Sequence, residues 1–248
     1  MKGIGRNSLI ITTFILLVMT QRGFSQEYPS FDKIPTDAGN VELHFIGHGS
    51  LMFKTNGFVI HIDPVKSSGN YNFLPKADLI LVTHEHYDHL DVSLINELKK
   101  DSTLVFTNEN STQKLGWANA MKAGDRQEVN GITIDAVPAY NIVNMRAPGQ
   151  PFHPKGSGIG YVLTIGGRKF YVAGDTENTP EMKDLKNIEV AFLPMNLPYT
   201  MTPAMVADAA KAFKPRILYP YHYGDTDTQE IINLLKGSGI DVRIRNLK

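Results

Sequence analysis

The stretch Thr83-His84-Glu85-His86-Tyr87-Asp88-His89 places five possible metal ligands, acids or bases within seven consecutive positions. It follows Leu79-Ile80-Leu81-Val82, a continuous apolar run of the kind that forms a strand buried on both faces of a layered α/β domain. The polar stretch therefore begins where a buried strand ends. Ligands and substrates gather beyond the carboxyl ends of such strands, because the sheet fixes the backbone while the emerging loop carries the chemistry. Residues two apart on an extended segment point the same way, so His84 and His86 can hold one ion. The turn through Asp88 directs Asp88 and His89 towards a second.

The rest of the composition narrows the chemistry. At 248 residues the chain can bury a sizeable core. Its 25 basic residues equal its 25 acidic ones, so no general field draws it to polyanions and nonspecific nucleic-acid binding is not expected. Cysteine is absent, which excludes disulfides, thiolate zinc sites and Cys nucleophiles, so a metal must be held by nitrogen and oxygen. Lys2 and Arg6 precede an apolar run from Leu9 to Met19, and Gly23-Phe24-Ser25 supplies the small residues a signal peptidase needs. The run is shorter than the ~20 residues of a membrane span. We expect a signal peptide over 1–25, no stable membrane span after cleavage, and an exported product, periplasmic or secreted.

Residues 26–40, with Pro29, Pro35 and Gly39, read as a leader settling on the domain surface. Val41 to Ile46 and Phe58 to Ile62 read as paired strands, and Asp63-Pro64 ends the second. Asp91 is a candidate N-cap for a helix carrying Leu94, Ile95 and Leu98 on one face. Strands are expected over Thr103 to Phe106 and Ile132 to Val137, with moderate helical character between Asn110 and Met121. Pro138 to Gly158 holds four prolines and three glycines, too long and broken for a plain connection, as in a lid. Gly166-Gly167 marks a tight hairpin between Ile159 to Ile165 and Arg168 to Ala173. Thr202-Pro203 starts an alanine-rich helix to about Phe213; strands over Val190 to Leu193, Ile217 to Pro220 and Val242 to Ile244, and a helix over Asp227 to Lys236, complete the pattern. No linker divides the chain, so one α/β domain over 41–248 is expected.

Four strand ends thus carry ligand-type residues: Asp63, the His84 to His89 run, Asp175 and His222. Asp175 has two oxygens and can bridge two ions, with His222 completing the second site. Taken alone, however, these two read more simply as a turn carboxylate and a loop histidine. On strand alternation His61 shares a face with Asp63, yet a structural histidine is the simpler reading for it and for His44.

With these residues in view, the chain from about Val41 onward resembles the metallo-β-lactamase superfamily of metal-dependent hydrolases. The order is kept: Asp63 in His-Ile-Asp-Pro, the Thr-His-Glu-His-Tyr-Asp-His run, Gly174-Asp175-Thr176, and His222. Gly47-His48-Gly49-Ser50, Pro-Ala-Tyr-Asn and Leu-Pro-Met-Asn-Leu-Pro-Tyr-Thr-Met resemble the branch of L-ascorbate-6-phosphate lactonase and N-acylphosphatidylethanolamine phospholipase D. The resemblance implies a four-layer αββα sandwich with metals at one edge and His48 standing behind the ligands. It also exposes a departure: where the superfamily places a third His of the first site, this chain has Asn141. Asn141 would be a weak, neutral oxygen ligand; His153 either folds back from the long loop to substitute for the missing histidine or lies on the loop surface.

The expected cofactor is one or two divalent ions, zinc first, with manganese or iron as alternatives. The expected activity is hydrolysis of an ester, lactone or phosphodiester in a small anionic substrate by a metal-bound hydroxide, with Asp88 orienting the nucleophile and Tyr199 or His153 steadying the oxyanion. Arg146 and Lys155 in the long loop would either meet the negative group or stand as solvated loop charges. The competing expectation is an exported metal-containing binding protein without turnover. Self-association is compatible with either.

Overall fold

The computed structural model describes residues 28–248, so the expected signal peptide lies outside the described residues. Two seven-stranded sheets stack face to face. The first runs in spatial order β1 (Phe31–Thr36), β2 (Gly39–Gly47), β3 (Ser50–Thr55), β4 (Phe58–Ile62), β5 (Ala77–Val82), β6 (Lys99–Thr107) and β7 (Asn119–Ala120). The helix α1 (Val92–Leu98) connects β5 to β6. The second sheet contains β8 (Arg126–Val129), β9 (Ile132–Ala139), β12 (Gly158–Ile165) and β13 (Arg168–Val172), followed by β14 (Ile188–Pro194), β15 (Ile217–Tyr221) and β16 (Asp241–Val242). A small hairpin, β10 (Met145–Ala147) and β11 (Gln150–Pro151), stands in the long loop. The helices α2 (Pro180–Lys183), α3 (Pro203–Phe213) and α4 (Thr228–Leu234) belong to the second half.

Three apolar clusters account for the layering. One lies between the sheets and joins Leu79 and Leu81 of β5 to Phe53, Tyr161, Phe170, Phe192 and Tyr219. A second packs Val206, Ala210 and Phe213 of α3 against Tyr171, Leu193 and Leu218. The third sets Leu94, Ile95 and Leu98 of α1 on Ile80 and Val82 of β5. The unbroken apolar run of β5 follows directly, since its alternate side chains enter two different cores. Truncating Leu81 to Ala in such a position costs about 2–5 kcal/mol. The αββα sandwich is as expected.

Local signals decide most boundaries. Asp91 caps α1 by accepting from the Leu94 N–H, and Thr202 caps α3 by accepting from the Met205 N–H, with Pro203 in the first turn. Gly166-Gly167 turns β12 into β13, pairing Ile165 with Arg168.

Three expectations need correction. Val41 to Ile46 and Phe58 to Ile62 do not pair with each other, because Ser50–Thr55 forms β3 between them and pairs with both. Residues 31–36 do not lie loosely on the surface: they form the edge strand β1 along β2, with Ile34 buried in the inter-sheet core. The stretch from Asn110 to Met121 gives only a short turn of 3-10 helix, Asn110–Gln113, before β7.

Candidate metal centre

The expected site residues meet at one edge of the sandwich, at the ends of strands from both sheets. His48 follows β2, Asp63 ends β4, the His84 to His89 run follows β5, Asp175 lies just past β13 and His222 follows β15. Three of these residues, His48, Asp63 and His222, have left-handed backbones with φ of 51°, 45° and 47°. For non-glycine residues such conformations cost about 1–3 kcal/mol each and persist where surrounding contacts over-determine them. Here the Asp63 N–H donates to the Leu81 carbonyl at 2.9 Å, and the His222 N–H to the His48 carbonyl at 3.3 Å. Gly49 has its own reason, because a Cβ there would stand 2.8 Å from the His89 ring.

The ligand atoms form two groups. Those of His84, His86, His153 and Asp175 lie within 4.8 Å of one another, and those of His48, Asp88, His89 and His222 do the same. Asp175 stands between the groups. Its Oδ2 is 3.3 Å from His153 Nε2, 3.5 Å from His222 Nε2 and 3.8 Å from His84 Nε2, while its Oδ1 is 3.3 Å from His89 Nε2. His153 therefore comes back from the long loop to the first group, and Asn141 does not join it. Instead Asn141 Oδ1 stands 2.7 Å behind His153 Nδ1. His48, expected behind the ligands, has its Nε2 inside the second group, 3.2 Å from Asp88 Oδ2.

Whether these residues suit a cation can be read from their unmet polar atoms. His84 Nε2, His89 Nε2, His222 Nε2 and Asp175 Oδ1 are buried and have no hydrogen-bond partner. A buried polar atom left unpaired costs about 1–3 kcal/mol, so four converging on one place mark a site that a cation completes. The donors are nitrogen and oxygen only, suited to zinc, manganese or iron.

Hydrogen bonds behind the histidines set which nitrogen faces the centre. Asp63 Oδ1 accepts from the Thr83 N–H at 2.7 Å, and its Oδ2 accepts from the Thr83 hydroxyl at 2.7 Å and from His89 Nδ1 at 2.8 Å. The Thr83 hydroxyl, having donated to Asp63, accepts from His84 Nδ1 at 3.0 Å. One carboxylate thus aims a histidine in each group through its Nε2. His61, by contrast, turns its Nε2 to the Pro75 carbonyl at 3.0 Å and stays out of the centre; His44 lies against Tyr28 and Phe31.

The electrostatics follow from burial and mutual charge. Burial, with the His89 charge, holds His84 well below the ordinary histidine value, and burial with His153 lowers His86. Burial opposes a charge on His89, yet Asp175 and Asp63 outweigh it and raise that histidine well above its usual range. Burial would likewise raise Asp175 and Asp88; His222 and His89 hold Asp175 far down, and the His222 and His48 rings beside Asp88, 3.4 and 3.2 Å from its Oδ2, hold it down. Carboxylates that draw a proton onto His89 would equally hold a metal cation in its place.

The centre opens into a cavity of about 740 Å³ whose walls include Lys114, Arg146, Phe152, Asn196 and Tyr199. Arg146 lies over the Phe152 ring at 5.7 Å and makes no ion pair among the described residues. The Tyr199 and Phe152 rings meet edge to face at 5.2 Å. Lys155 is elsewhere engaged, 2.7 Å from Glu181 Oε1, and does not line the cavity.

Three contributors escaped the sequence reading. Phe152 and Lys114 carry no motif. Glu177 is fully buried and accepts from the backbone N–H groups of Ile142, Val143 and Asn144 at 2.8, 2.8 and 2.6 Å, clamping the start of the long loop. Its place two residues after Asp175 was the available signal.

Comparisons with known proteins agree with this geometry. Residues 42–222 match the family model described as Beta-lactamase superfamily domain. The UPF0173 metal-dependent hydrolase of Methanopyrus kandleri is 31% identical over 225 residues, covering 82% of this chain and 95% of that protein. A protein from Parabacteroides distasonis known from its crystal structure is 49% identical, with a TM-score of 0.85 over 89% of this chain and all of that one. The metallo-β-lactamase fold protein YhfI of Bacillus subtilis shares the fold at a TM-score of 0.65 and 12% identity, over 80% of this chain and 88% of that one. The strand-end histidines, the fold and these relatives agree: the chain belongs to the metallo-β-lactamase superfamily and is a metal-dependent hydrolase.

Proposed function

We propose that this hydrolase acts on a small anionic substrate, cleaving an ester, lactone or phosphodiester bond with two divalent ions, zinc first among them. The observation that carries the reading is the position of Asp175 between two ligand groups at the floor of a cavity whose wall holds Arg146. His84, His86, His153 and Asp175 would hold one ion, and Asp88, His89 and His222, with Asp175 and His48, the other. Ions so held would lower the pKa of water and polarise a substrate oxygen, making hydrolysis accessible near neutral pH.

The protein groups supply the rest. Asp88, about a quarter exposed and held as a carboxylate by His48 and His222, faces the cavity and can orient an attacking water by accepting a hydrogen bond from it. The Tyr199 hydroxyl can donate to negative charge developing on the substrate oxygen. Arg146, stiffened on Phe152, offers planar paired donors to a carboxylate or phosphate. The likeness of the flanking motifs to the lactonase branch puts lactones and phosphodiesters at the head of the candidates.

Purified protein loaded with zinc, manganese or iron should hydrolyse at least one anionic member of a panel of esters, lactones and phosphodiesters, and lose that turnover on chelation. Undiminished turnover after complete metal removal overturns the proposal. The basic and apolar N-terminal stretch supports export as part of the same reading. N-terminal sequencing of protein recovered outside the cytoplasm should begin at Gln26.

A further inference from the structure

The replacement of the usual third histidine by Asn141 leaves a question of orientation, since a histidine arriving from a long loop has no strand to aim it. We propose that Asn141 is the positioning residue for His153, holding the proton on His153 Nδ1 so that Nε2 is the atom presented to a metal.

The hydrogen bonds allow one arrangement. The Asn141 amide nitrogen donates to the Tyr199 carbonyl at 2.9 Å and to Glu177 Oε1 at 3.1 Å. A backbone carbonyl cannot donate, and Glu177 already accepts three backbone N–H groups, so both partners demand an N–H from Asn141. The opposite end of the amide accepts from the His153 backbone N–H at 2.9 Å, and that group can only donate. Turning the amide over would set acceptor against acceptor at one end and donor against donor at the other. With the orientation fixed by groups that cannot reverse, Oδ1 accepts at His153 Nδ1, 2.7 Å away, and that nitrogen must carry hydrogen. The Nε2 lone pair then faces His86 Nδ1 and Asp175 Oδ2, each at 3.3 Å.

The backbone completes the clasp. The Asn141 N–H donates to the His153 carbonyl at 2.8 Å, so both ends of the long loop are tied at the same pair of residues. Glu177 joins this clasp to Asp175, two residues away in the chain. Asn141 has thus exchanged the role of ligand for that of the group behind a ligand, where it fixes tautomer and ring direction.

This assignment rests on the reading that His84, His86, His153 and Asp175 hold a metal, and its test separates the two. Zinc affinities of the purified chain and of Asn141→Ala are measured by competition with a chromophoric chelator, with circular dichroism as the check on folding. The expected result is two zinc sites in the unchanged chain, one of them weakened about 10- to 100-fold in the variant and the other unaltered. A second measurement needs no variant: long-range proton–nitrogen correlation spectra of the zinc-loaded, ¹⁵N-histidine-labelled chain, with His153 assigned by the signal lost in His153→Gln. Hydrogen on Nδ1 and zinc on Nε2 are expected. Zinc on Nδ1, an uncoordinated His153, or a folded Asn141→Ala chain with both affinities unchanged overturns the assignment of Asn141. Failure of the unchanged chain to bind zinc, manganese or iron would overturn the metal reading as well.

Discussion

Asp63 Oδ2 and His89 Nδ1 lie 2.8 Å apart with both side chains fully buried, and the same carboxylate reaches His84 through the Thr83 hydroxyl. A single acid at the end of β4 therefore supports a ligand in each half of the centre. Removing one partner of such a buried pair strands the other, at a cost of about 3–5 kcal/mol. Asp63→Ala should lower the free energy of unfolding by that order in chemical denaturation. Metal content by elemental analysis should fall at both sites rather than at one. Loss confined to a single site would show that the Thr83 link to His84 carries no weight.

His61 provides a pH dependence away from the metal ligands. Burial pushes its pKa down from 6.5 to about 4, with the Pro75 carbonyl opposing the shift. The folded chain therefore keeps His61 neutral at pH values where the unfolded chain protonates it. Its contribution is fully present above about pH 6.5 and is lost as pH falls towards 4, an effect of about 3 kcal/mol. In His61→Gln the slope of unfolding free energy against pH between 6.5 and 4 should flatten. An unchanged slope would place the acid sensitivity elsewhere.

The sequence revealed the parts of the centre that are written in continuous segments. His84, His86, Asp88 and His89 share one loop behind an apolar strand, so their grouping needs no tertiary information. Asp175 and His222 took their meaning from order along the chain. Choosing between Asn141 and His153 depended on how residues 141–153 fold back, and that is decided by Glu177 gathering backbone N–H groups, an interaction with no periodic trace. β1 was hidden for another reason: an edge strand that buries mainly Ile34 shows no alternation strong enough to separate it from a polar leader. β3 went unread between two glycine-containing turns, although its residues are nearly all buried.

Metal removal should be visible in stability as well as in turnover. An ion that binds the folded chain alone adds about 2.7 kcal/mol when its free concentration is a hundred times its dissociation constant. Chelation should lower the melting temperature reversibly, with recovery on adding zinc. His86→Ala, which deletes a nitrogen from the first group, should abolish hydrolysis and hold less metal than the unchanged chain. Full activity in a metal-free His86→Ala protein would sink the metal mechanism.

The two loop cations separate binding from surface chemistry. Arg146 lines the cavity over Phe152 without an ion-pair partner among the described residues, whereas Lys155 is already joined to Glu181 and the Tyr140 hydroxyl. A hydrogen bond to a charged group contributes about 1.5–3 kcal/mol. Arg146→Gln should thus raise KM for an anionic substrate about 10- to 100-fold, using the tenfold step per 1.4 kcal/mol. Its effect on a neutral analogue of the same ester or lactone should be small. Lys155→Gln loses an exposed ion pair of the kind that contributes little, and both KM values should stay close to those of the unchanged chain. Equal losses for neutral and anionic substrates in Arg146→Gln would mean that the arginine shapes the loop rather than meeting the substrate's charge.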